Sequence, residues 1–165
     1  MKFIPRHLRS DNYSFHSQKS VADLKADLQT LFDNKWYDFS INLTGDFTSD
    51  NEFQITKKIS FVFSKSGSSG STKLKCKIHA DKEKTIVDVI VKPNPQLYVW
   101  TIVPPILALS ILYSIIFHST NDLPVAIIII IINFFIVPIA ALFFGQAAKT
   151  ELKDTFVDTF KLTKA

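Results

Sequence analysis

Apolar residues recur at three different periods along this chain. Val21, Leu24, Leu28, Leu31 and Phe32 fall on one face at helical spacing, with Lys25, Asp27 and Gln29 opposite. Ser20 and Asp23 have capping-box spacing, with Asp in place of the usual Glu or Gln. The pattern predicts an amphipathic helix over 20–34. The period then drops to two. Phe39, Ile41 and Leu43 alternate with Ser40, Asn42 and Thr44, and Phe53, Ile55, Ile59, Phe61 and Phe63 share one face of a second stretch. Lys57 is out of place on that face and predicts a bend. Gly45 marks a bulge or a close approach, and Thr48-Ser49-Asp50-Asn51 supplies turn residues. Two more strands are expected over Lys73–Ala80 and Thr85–Lys92, joined by a turn at Asp81–Glu83. Pro93-Asn94-Pro95 stops the last strand. Residues 1–15 read as a short basic lead, either frayed or docked as a strand on the domain edge.

After Pro95 the alternation disappears. Asp122 is the one formally charged residue between Lys92 and Lys149. About 20 apolar residues cross a bilayer core as a helix, and 97–117 and 123–144 each reach that length. A chain of 165 residues cannot bury two such helices on all sides, so 95–145 is expected to be a two-pass transmembrane hairpin. Ala148, Leu152, Phe156 and Phe160 then repeat every four residues, with Lys149, Lys153, Asp154, Asp158 and Lys161 opposite. Residues 146–165 therefore form a C-terminal amphipathic helix. It lies either in the headgroup region or with its Leu/Phe stripe on the domain, and its mixed polar face favours the domain. The expected fold class is an α+β membrane protein. Residues 1–94 form a cytosolic domain with one helix on a four-stranded antiparallel sheet, followed by the hairpin and the closing helix.

Charge adds an orientation. Lys77, Lys82, Lys84 and Lys92 precede the first span, and Lys149, Lys153, Lys161 and Lys164 follow the second. The connection 118–122 carries neither Lys nor Arg. By the positive-inside rule both termini are cytoplasmic and the loop faces out. Met1–Phe15 has no apolar core run, so the first span is expected to act as an internal signal-anchor in a cytoplasmic (inner) membrane. Lys2, Arg6, Arg9, Lys92 and Lys149 are candidate lipid-headgroup contacts. The net charge of +4 is too small and too dispersed to argue nucleic-acid binding.

Little reactive chemistry stands out. Pro104, Pro105 and Pro138 should kink the two spans at matched depth. Asn133 is the strongly polar residue of the second span and lies at the depth of Ser110 in an antiparallel hairpin. It is expected either to face Ser110 or to serve an oligomer contact. Ala141 and Gly145 give a small-xxx-small spacing. His7, His16, His79 and His118 have no metal-ligand spacing with one another or with Cys76, the single cysteine. The glycines of Ser64–Thr72 lack the Gly-Lys-Ser/Thr ending of a phosphate-binding loop. No cofactor and no catalytic residue are expected, and the chain does not read as an enzyme.

Leu43-Thr44-Gly45, Phe53-Gln54-Ile55, Lys77-Ile78 and Val91-Lys92-Pro93 precede the first span. In this layout the chain resembles uncharacterised small bacterial membrane proteins, in which a helix-plus-strand domain precedes a two-span hairpin and a closing helix. The resemblance carries no activity with it. The function expected is a non-catalytic integral membrane interaction module, such as an accessory subunit or an immunity-type protein. Its partners would be membrane lipids and either another protein or further copies of itself. The alternatives are a homo-oligomeric channel or transporter component, and a lipid- or anion-sensing membrane protein.

Overall fold

The computed structural model describes residues 8–35, 40–60, 64–65, 72–81, 84–118 and 123–165. Strand β1 (Asp11–Ser17) leads into helix α1 (Val21–Asp33). Ser20 caps that helix, its Oγ accepting from the Asp23 N–H at 3.2 Å and donating to the Asp23 carboxylate at 2.7 Å. Leu24, Leu28 and Leu31 are buried on the predicted face.

Strands β2 (Thr44–Ser49) and β3 (Glu52–Thr56) form a hairpin around the expected turn. A separate two-stranded ladder joins β4 (Ile59–Ser60) to β5 (Ser64–Lys65). Then come β6 (Lys73–Asp81) and β7 (Lys84–Lys92), and β8 (Thr163–Lys164) ends the chain. The main sheet has six strands in the order β2-β3-β6-β7-β1-β8, antiparallel throughout.

The expected four-stranded meander is therefore too small. The N-terminal segment supplies β1, an interior strand held between β7 and β8. Its apolar positions are only Tyr13 and Phe15, which is a weak alternation. The strand expected to begin at Phe39 instead begins at Thr44. Phe39 lies outside the described residues, and Ser40–Leu43 is irregular although Leu43 is fully buried. The next strand breaks after Thr56, next to Lys57 as expected. Phe61 and Phe63 lie outside the described residues.

Gly45 marks a close approach. A Cβ there would lie 2.1 Å from the Gln54 carbonyl oxygen and 2.7 Å from the Phe32 ring. The ring could shift, but the paired backbone of β3 cannot without opening the hairpin. Gly45→Ala should therefore destabilise the domain by about 1–3 kcal/mol, the usual cost of overpacking, measured as a lower thermal midpoint. An unchanged midpoint would show that the hairpin yields freely.

Helix α2 (Gln96–His118) begins where Asn94 accepts from the Gln96 N–H at 2.8 Å. It runs helically through Pro104 and Pro105. The second long helix begins with α3 (Leu123–Ile131), widens to a π-turn at Ile132–Ile136, and continues as α4 (Val137–Phe160). The π-turn lies directly ahead of Pro138. With no N–H at Pro138 to close the α-ladder, the Val137 N–H bonds the Ile132 carbonyl across the wider turn. The helix does not stop at Phe144. Gln146, Ala147 and Ala148 are good helix formers, and Gly145 does not break the run. One helix therefore joins the expected span to the expected closing helix, so the simple hairpin followed by a separate amphipathic helix is corrected.

Two helices are long and apolar enough to cross a membrane, and only 11% and 6% of their most apolar windows are buried. A core helix of a soluble protein would be mostly covered, whereas Val99, Ile106, Val125, Ile128, Phe143 and Phe144 stand exposed. The other core lies on one face of the sheet. There Leu24, Leu28 and Leu31 of α1 meet Leu152, Phe156 and Phe160 of α4 over Phe53, Ile55, Leu74, Ile78, Val87 and Val89. Among the described residues no helix covers the opposite face of the sheet, where Lys75, Lys77, His79, Ile90 and Lys92 are exposed.

Candidate functional site at the joint between sheet and apolar helices

The buried stripe of α4 is Ala141, Gly145, Lys149, Leu152, Phe156 and Phe160. It descends from the apolar half of the helix to the domain core, and a lysine sits at its centre. Lys149 is 2% exposed. Its Nζ lies 2.5 Å from Asp11 Oδ2 and donates to the Arg9 carbonyl at 2.9 Å. A buried ammonium group needs a counter-charge and oxygen acceptors, and the segment entering β1 supplies both. Lys149 therefore does not face lipid headgroups, which corrects its expected role.

The same segment is held from the other helix. Tyr98 on α2 donates its hydroxyl to the Leu8 carbonyl at 2.7 Å. Leu8, Leu97 and Ala141 form a small apolar cluster of their own. Below Lys149, Glu151 pairs with Lys57, and the Lys153 ammonium lies 5.1 Å from the centre of the Tyr13 ring. Both apolar helices are thus pinned to the edge of the domain through residues 8–13.

The other expected site residues are scattered. Asn133 sits in the π-turn and donates to the Ile129 carbonyl of its own helix at 2.9 Å. Ser110 is exposed, whereas Pro104 and Ala108 are buried, so Ser110 lies off the side of α2 that is covered. The polar pair between the helices is replaced by this local bond. Pro105 and Pro138 are half-buried. Arg9 and Lys92 are exposed, and Lys2 and Arg6 lie outside the described residues.

On the open face of the sheet, Ser14 donates to Asp88, and His79 Nδ1 lies 3.5 Å from the same carboxylate. A nucleophilic triad needs the imidazole between hydroxyl and carboxylate. Here the carboxylate occupies the middle, so His79 has no path to the Ser14 proton. Among the described residues no three His, Cys, Asp or Glu side chains gather around a metal-sized site. Cys76 is buried in the core, and burial pushes its thiol pKa far up. A neutral, enclosed thiol is a poor nucleophile.

Sequence reasoning missed Asp11, Tyr98 and Lys57 as partners of the helices. The available signal was Lys149 itself, which falls on the apolar stripe once Ala141 and Gly145 are read as part of it. No family model, curated protein or solved structure matches the chain.

Proposed function

We propose that the chain is a non-catalytic integral membrane interaction module, of the accessory-subunit or immunity type. In this reading its two apolar helices cross the cytoplasmic membrane of a bacterium, with both termini and the sheet inside. The observation that carries it is the single helix running through the π-turn to Phe160. Its upper part is exposed and apolar, and its lower part is core. A domain fixed to its anchor through Lys149, Glu151 and the Leu/Phe stripe keeps one orientation at the membrane. Its uncovered sheet face is then presented outward from that anchor.

That face has the mixed character of a recognition surface. A shallow cavity of about 460 Å³ is lined by Glu52, Gln54, Lys75, Lys77, Asp88 and Ile90. Ile90 is the one large hydrophobic side chain exposed on the described part of the sheet. A photo-cross-linker at Ile90 should give a discrete protein adduct in intact cells, and one at Lys25 on α1 should not. Asp88→Arg should abolish it. Adducts to lipid alone, or equal adducts from both positions, would overturn the reading.

Homo-oligomerisation has one observation in its favour. The Asn133 amide uses its donor on Ile129, and among the described residues its carbonyl oxygen has no partner. Within hydrocarbon a second amide would satisfy it. A cross-linked adduct of twice the chain mass identifies this form of partner.

A further inference from the structure

Resting on the membrane reading above, we propose that Lys73, Lys75 and Lys92 form a binding site for phosphate-bearing lipid headgroups. The site lies at the membrane-side end of the open sheet face. Lys73 on β6 and Lys92 on β7 are direct cross-strand partners. Their neighbours Leu74 and Val91 are buried on the core face, so alternation puts both lysines on the open face. Like charges directly opposite each other destabilise a ladder. Lys75 stands two residues further along the same face, opposite Ile90.

Among the described residues no acid offsets this cluster. Among the described residues none of the three lysines makes an ion pair. The nearby carboxylates are engaged elsewhere. Asp11 binds Lys149, Glu151 binds Lys57, and Glu52 binds Lys77. Asp88 takes Ser14 and His79, and Asp46 takes Gln54. Among the described residues, one end of the sheet thus carries two directly opposed lysines and a third beside them without a paired carboxylate.

That end is the membrane end. Phe144 is the last large apolar side chain exposed on α4, and Lys149 follows five positions later, a rise of roughly 7–8 Å. Lys149 meets Asp11, and Asp11 pairs with Val91, the residue before Lys92. A headgroup layer is about 5–8 Å thick on each side of the hydrocarbon. The Lys73–Lys92 row therefore lies at the level of the phosphates, and Lys75 lies within reach of them through its flexible stem. A like-charged pair that weakens the isolated sheet becomes favourable once an anion lies between its members.

The test uses the full chain in nanodiscs, with lysine acylation rates read residue by residue by mass spectrometry. Discs of phosphatidylcholine alone are compared with discs that also contain phosphatidylglycerol. Lys73, Lys75 and Lys92 should each react about fivefold more slowly in the anionic discs, the scale of attraction for a basic residue at a charged surface. Lys84 and Lys161 should react equally in both. High salt should remove the protection. In the variant carrying Lys73→Gln and Lys92→Gln, Lys75 should lose its dependence on lipid. Protection in neutral discs by inorganic phosphate would assign the site to a soluble anion and overturn the lipid assignment. Equal rates under all conditions would overturn the site. Failure of the membrane reading would show separately, as a chain that does not enter discs.

Discussion

Asp11→Ala should destabilise the domain by about 3–5 kcal/mol, the range for removing one partner of a buried ion pair. The asymmetry of the pair sets this size. Lys149 is 2% exposed on its side chain, whereas Asp11 is 23% exposed. Without Asp11 the ammonium group stays enclosed and keeps the Arg9 carbonyl, but it loses the carboxylate that lies against it. Lys149→Met should cost less, because the carboxylate left behind can reach water. The double variant, Asp11→Ala with Lys149→Met, should recover much of the loss, since both charges are then absent. Thermal unfolding in detergent reads the order, and the Asp11→Ala midpoint should fall by roughly 6–20 °C. A double variant as unstable as Asp11→Ala alone would show that packing, not charge, sets the cost.

This pair also explains what was legible in the chain and what was not. The helix expected over 20–34 and the strands expected at Lys73–Ala80 and Thr85–Lys92 carry strong periodic patterns, and the structure places each within one residue of those bounds. Gly45 and the two apolar helices were equally clear. What was missed or left open were the elements whose identity depends on distant partners. β1 is polar on its outer face and becomes a strand by pairing with β7 and with the last residues of the chain. Ser40–Leu43 alternate well but stay irregular, with the Lys58 N–H bonded to the Asn42 carbonyl in place of a regular ladder. Lys149 reads as a surface lysine in a local window. Its burial depends on Asp11, which is far away in sequence and close only after β1 has taken its place. Local periodicity cannot report such pairings, and no reactive motif was there to reveal the joint.

Deleting residues 150–165 should abolish the folded domain rather than shorten it. The deletion removes Leu152, Phe156, Phe160 and Leu162, each at most 6% exposed, and strand β8 with them. Full burial of such side chains contributes about 1.5–3 kcal/mol each. Their sum is comparable to the whole net stability of a domain, about 5–15 kcal/mol. The Phe53 ring, now 6.1 Å from that of Phe156, would face water, and β1 would lose its outer neighbour. Hydrogen exchange on the full chain and the truncated chain in the same detergent should show protection lost across β1, β3, β6 and β7. The apolar helices should keep theirs, because their hydrogen bonds close within each helix. Retained protection in the sheet would mean that residues 8–149 fold without the lower half of α4. By the same argument a fragment ending at Asn94 lacks one wall of its own core. Lipid or partner binding is therefore properly measured on the complete chain.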